Sequence, residues 1–129
     1  MEYVKSYKNL EVYKLSRQLS KEIYDITKEF PREEMFSLTD QIRRSSRSIG
    51  AQIAEAWAKR KYEKHFVSKL TDADGEQLET QHSIEMAQDC LYITTDLANN
   101  LLQGYASVGK MLNSMIRKAP TFCNKVSAK

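Results

Sequence analysis

Glu79 and His82 stand three apart, a spacing that puts a carboxylate and an imidazole on one face of a helix. Di-iron bundles use such a Glu-x-x-His pair, but they need a second copy of it and further glutamates on the other helices. This chain has only His65 and His82, and three places after Glu63 comes Phe66, not histidine. Cys90 and Cys123, combined with those histidines, match no zinc spacing. His82 therefore reads as a surface or interface residue, and no metal or other cofactor is expected. The chain also lacks a glycine-rich phosphate loop and any serine, histidine and aspartate set that spacing would recognise. Cys90, set among apolar residues, reads as a small core hydrophobe, not a nucleophile. No catalysis is expected.

Phosphate contact is the second chemistry these residue types allow. Arg43, Arg44 and Arg47 form one basic cluster, and Lys59, Arg60, Lys61 and Lys64 form another. Cations spaced along a surface are what a nucleic-acid backbone requires. A structural reading competes for each cluster. Gln41, Arg44 or Arg47 would pair with Glu76 or Glu79 as polar packing between two helices, and the second cluster would be a solvated junction balanced by Glu55 and Glu63. Trp57 and seven tyrosines offer rings for stacking on bases, although aromatic residues in helices more often anchor packing or interfaces.

Elements long enough to carry these groups follow from composition and spacing. With 129 residues, the chain has room for one domain and a real core. Only 4 glycines and 2 prolines leave little turn chemistry for an all-β fold. Apolar residues recur by threes and fours in four stretches, which predicts helices over about 9–30, 33–59, 62–90 and 92–118. The first carries Val12, Leu15, Leu19, Ile23, Ile26 and Phe30, and Pro31 ends it. The second begins at Pro31 with Met35 on its stripe, and the third runs from Phe66 to Leu91. Gly104 and Gly109 in the fourth predict close contacts or a bend. Residues 121–129 read as a polar tail that frays. The expected fold is all-α, an up-down antiparallel four-helix bundle.

The middles of the second and third helices are unusual for a bundle. Ser45, Ser46, Gly50 and Ala51 in one, and Gln77 and Thr80 in the other, occupy places where leucines are usual. If these two helices face each other, the small residues would let their backbones approach closely; otherwise the charges lie on a solvated face and only the serines touch the core. A net charge of +3 and a pI near 8.8 permit nucleic-acid contact without arguing for it. No apolar run approaches a membrane span, no signal-peptide pattern opens the chain, and two cysteines suit a reducing compartment. A cytoplasmic protein without a membrane partner is expected.

The segment "FPREEMFSLTDQIRRSSRSIGAQIAEA" resembles the signature of the four-helix bundle proteins encoded by intervening sequences inside bacterial 23S ribosomal RNA genes. Those proteins typically read FP-x-E-E, then L-T-x-Q-I-R-R, then a small-residue run into N-I-A-E-G. "GEQLETQHSIEMAQDCLYI" is similar to the family's third-helix pattern, and "NLEVYKLSRQLSKEIYDITKEF" to its first helix. The chain departs from the pattern at Gln52 for asparagine, Ala56 for glycine, Ser83 for tryptophan and Leu91 for glycine. The resemblance implies a ring oligomer, commonly a homopentamer. A related branch, the accessory proteins of diversity-generating retroelements, contacts reverse transcriptase and nucleic acid. Two functions stay open: a non-enzymatic ring that binds RNA or DNA through its basic clusters, and a scaffold that docks a protein partner without touching nucleic acid.

Overall fold

A computed structural model describes residues 4–127, with side chains through Cys123. Four long helices, α1 Glu11–Thr27, α2 Leu38–Ala58, α3 Glu63–Asp89 and α4 Thr95–Arg117, are followed by a short fifth, α5 Ala119–Ser127. Each long helix packs on the next, and α4 closes back onto α1, which gives the all-α up-down four-helix bundle. The apolar stripes meet in one core built around Ile23, Ile42, Ile49, Ile53, Phe66, Leu70, Ile84, Leu101, Tyr105 and Leu112, each at most 1% exposed. No described helix is long and apolar enough to cross a membrane.

The contact between α2 and α3 is the most extensive in the bundle. Its polar middle is buried and bonded. Thr80 donates to the Glu76 carbonyl at 2.9 Å, so its oxygen is free to accept from Ser45 Oγ at 2.8 Å. Gln77 donates to Asp74 at 2.9 Å and accepts from Gln81 at 2.7 Å. The two helical glycines of α4 mark close approaches. A Cβ added at Gly109 would lie 2.8 Å from Gln77 Nε2, and one at Gly104 would lie 2.7 Å from Leu19 Cδ2.

Four sequence expectations are corrected. The second helix does not start at Pro31. Arg32–Glu34 form a 3-10 turn, α2 begins at Leu38, and Met35 is 48% exposed instead of buried on a stripe. Glu34 explains the late start, because its Oε1 accepts from Ser37 Oγ at 2.6 Å and from the Leu38 N–H at 3.3 Å, capping α2 from the preceding turn. Cys90 is exposed, as it lies one residue past the end of α3. Leu91 is 88% exposed at φ 63, and it closes α3 with bonds from its own N–H to Gln88 and from the Tyr92 N–H to Ala87. Residues from Thr121 through Ser127 are helical, and the last two residues of the expected tail, 128 and 129, lie outside the described residues. The helical ones belong to α5, which seats Ala119 and Cys123 in the core and sets the Phe122 ring 5.8 Å from Phe66.

Candidate nucleic-acid interface

Lys21, Tyr24, Asp25 and Lys28 share one face of α1 through spacings of three and four residues. Arg43 and Arg47, one turn apart on α2, come up against the same face. The Tyr24 ring is the meeting point of four cations. Arg43 lies 4.7 Å from its centroid, Lys28 4.9 Å, Arg47 5.5 Å and Lys21 6.0 Å. Cations over an aromatic face are each stabilised by its quadrupole, by roughly 0.5–1 kcal/mol at exposed sites. Asp25 answers two of them, at 2.9 Å from Lys21 and 3.6 Å from Lys28. The hydrogen bond from Lys21 holds the Asp25 carboxyl below the usual carboxylate range. Arg43 is anchored differently, with its Nε donating to Thr27 Oγ1 at 2.7 Å. Among the described residues no carboxylate pairs with Arg43 or Arg47.

Beside this cluster a groove of about 420 Å³ runs between α1 and α2, with Tyr13, Arg17, Lys21, Tyr24, Arg47, Gly50 and Ala51 in its lining. Ser16 and Ser46, each 1% exposed, lie at its base. The small-residue run of α2 thus does two things. Ser45 makes the tight contact with α3, whereas Ser46, Gly50 and Ala51 hollow out the groove against α1.

The expected pairing of Gln41, Arg44 or Arg47 with Glu76 or Glu79 is not formed. These side chains line a separate groove of about 530 Å³ between α2 and α3. Among the described residues no ion pair bridges it, and Arg44 instead sits 3.7 Å from Asp40 on its own helix. The reason is the Ser45–Thr80 bond. Two short side chains hold the backbones together at the centre, so Gln41, Arg44 and Glu79 stay exposed, Glu76 is half-buried beside them, and Arg47 also reaches the Tyr24 ring of α1. Burial, followed by the neighbouring Glu79, raises the Glu76 carboxyl, with Arg44 opposing that rise.

The junction cluster is divided as well. Arg60 stacks on Trp57, 3.7 Å from the ring centroid, and its Nε donates to the Trp57 carbonyl at 2.9 Å. Lys59, Lys61 and Lys64 are exposed. Glu55, the expected counter-charge, pairs with Lys69 at 2.9 Å. Arg43 and Lys59 are separated by sixteen residues of helix, roughly 24 Å at 1.5 Å per residue, so the junction and the Tyr24 cluster lie near opposite ends of α2. Glu79 and His82 are both exposed, and among the described residues no group of three or more His, Cys, Asp or Glu side chains gathers.

Sequence reasoning therefore reached Arg43 and Arg47, and Tyr24 as one of seven candidate stacking tyrosines, but missed Arg17, Lys21 and Lys28. The available signal was the lysine three before and four after Tyr24, which places both cations on the ring's face of one helix.

The fold and this site define a helical bundle with a basic, aromatic groove. A family model for the 23S rRNA-intervening sequence protein matches residues 8–114, and the chain belongs to that family. Among solved structures it is similar to a protein of unknown function from the S23 ribosomal protein family of Bacteroides thetaiotaomicron VPI-5482. The two are 30% identical, with a TM-score of 0.75, and the match covers 82% of this chain and 95% of that one. No curated protein matches the chain.

The family signature has a physical account in this fold. Tyr92 OH donates to Glu34 Oε2 at 2.8 Å, and the Tyr92 and Phe30 rings lie 5.4 Å apart. The FPREE segment and the end of the third-helix pattern, which includes Tyr92, thus meet at one end of the bundle.

Proposed function

We propose that this chain is a non-enzymatic cytoplasmic protein that assembles into a ring, most simply a pentamer, and binds RNA or DNA through the α1–α2 face. The observation that carries the reading is the gathering of four cations on Tyr24, of which Asp25 pairs only with Lys21 and Lys28. Like charges placed this close repel, and a site that keeps them is suited to an anionic ligand. The family name links the gene to ribosomal RNA operons, and it says nothing of what the protein touches. The repeat of one basic cluster per subunit would raise avidity for a long polyanion without any new contact.

Among the sequence candidates, Arg43 is a packing residue that also contributes charge, Arg47 faces the ligand, and Arg44 belongs to the opposite groove. Lys59, Lys61 and Lys64 form a secondary contact. The test is charge reversal at the exposed Arg47 and Lys28 together. Nucleic-acid affinity should fall at least about tenfold, and the salt slope should drop by about one per lost phosphate contact. Helicity should be unchanged. Reversal of Lys59 and Lys61 should weaken binding less. Full affinity in the Arg47 and Lys28 variant would contradict the assignment.

A protein-docking scaffold remains the second reading. It is favoured by apolar side chains left in water near the Glu34–Tyr92 contact, namely Phe36 at 91% and Leu91 at 88% exposure.

A further inference from the structure

Resting on the nucleic-acid reading, we infer that the α1–α2 groove takes an unpaired nucleotide, so that its ligand is a single strand and not a duplex. A surface for duplex backbone spreads its cations to follow phosphates along a helix. Here four cations converge instead on one ring, within 6.0 Å of its centroid, and two of them, Lys21 and Arg47, border a concavity of about 420 Å³. That volume lies in the range of pockets that enclose a small ligand. In a duplex the bases are paired and stacked, and only the backbone reaches a surface such as this one. An unpaired base can turn into the concavity, lie on the small-residue base made by Ser46 and Gly50, and leave its phosphate to Lys21 and Arg47.

The base of the groove suits that use. Ser16 Oγ donates to the Tyr13 carbonyl at 2.9 Å, and Ser46 Oγ donates to the Arg43 carbonyl at 3.1 Å. Both hydroxyl protons are thus used within the helices, and the oxygens keep acceptor capacity. A Cβ at Gly50 would already reach van der Waals contact with Tyr13 at 3.4 Å, so the groove's depth depends on the residue being small. Combined ring and cation surfaces are the usual platform for single strands and are tolerant of sequence.

The experiment measures fluorescence anisotropy of a labelled oligouridylate, a labelled oligothymidylate and a duplex of equal length, all at one low salt concentration. The wild-type chain should bind at least one of the single strands about tenfold or more tighter than the duplex, and the ratio between the two strands reads the sugar preference. Ala51→Leu adds apolar bulk at an exposed helical position on the groove, where the fold is not at risk. It should remove most of the single-strand preference and leave duplex binding unchanged. Equal or tighter duplex binding, or a single-strand affinity untouched by Ala51→Leu, overturns the inference and leaves nucleic-acid binding standing. Binding of neither strand nor duplex overturns the nucleic-acid reading itself. Circular dichroism of the Ala51→Leu variant confirms that any loss is not unfolding.

Discussion

Leu91 sits where only glycine is at ease. At φ 63 its Cβ crowds the following carbonyl, which costs an L-residue roughly 1–2 kcal/mol. Glycine avoids that strain but has more freedom to lose on folding, about 0.4–1 kcal/mol. Leu91→Gly should therefore stabilise the chain by about 0.5–1 kcal/mol, read as a higher denaturant midpoint with an unchanged slope. A midpoint that falls would show that the exposed leucine makes a contact worth more than its strain. The position also shows how a sequence can mislead: Leu91 extended the apolar stripe of α3 on paper, while the backbone used it to end the helix. Cys90 was misjudged for the same reason, since a residue beyond the last turn no longer follows the helical period. At Tyr24 the residue types were plain, but Lys21 and Lys28 were not read together with Arg43 and Arg47, because the cluster forms only when α1 packs on α2.

The turn between α1 and α2 is governed by one carboxylate. Glu34 accepts from Ser37, Tyr92 and the Leu38 N–H, and these bonds, led by Ser37, hold its carboxyl below the usual range. The same contact pushes the Tyr92 phenol up to about 12. A carboxyl whose pKa is lower folded than unfolded contributes stability that is complete above its unfolded value and lost as pH falls through the folded one. The stability difference between wild type and Glu34→Gln should therefore be largest near neutral pH and shrink below the ordinary carboxylate range. Urea melts at pH 7 and pH 3 check it, and an equal difference at both would mean that the Glu34 charge is not what caps α2. The four long helices were legible because each keeps an apolar stripe over several turns. Their ends were less so. The Pro31–Ser37 turn depends on a hydrogen bond to Tyr92, 58 residues away, which no local pattern carries. The fifth helix had a short signal, Ala119, Phe122 and Cys123 at steps of three and one, masked by polar neighbours.

The proposed ring assembly and polyanion binding are questions of the whole molecule. Several aromatic and apolar residues that could serve an oligomer interface are absorbed inside the chain. Trp57 packs edge-on to Phe122 at 6.4 Å, Tyr13 meets Tyr7 at 4.9 Å, and Met111 rests on the core. The apolar groups left for a neighbouring subunit include Phe36, Leu91, Tyr62 and Leu78, each more than half exposed. Light scattering at micromolar concentration should give a mass near five chains, and a monomer mass would remove the ring. The central claim is that the cations around Tyr24 exist to meet phosphates. Its most direct test is the salt dependence of wild-type affinity for single-stranded RNA. If three or more cations each release a counterion, the logarithm of the binding constant should fall linearly with the logarithm of salt, with a slope of about −2 or steeper. An affinity that is flat in salt, or no binding at low salt, would contradict the account.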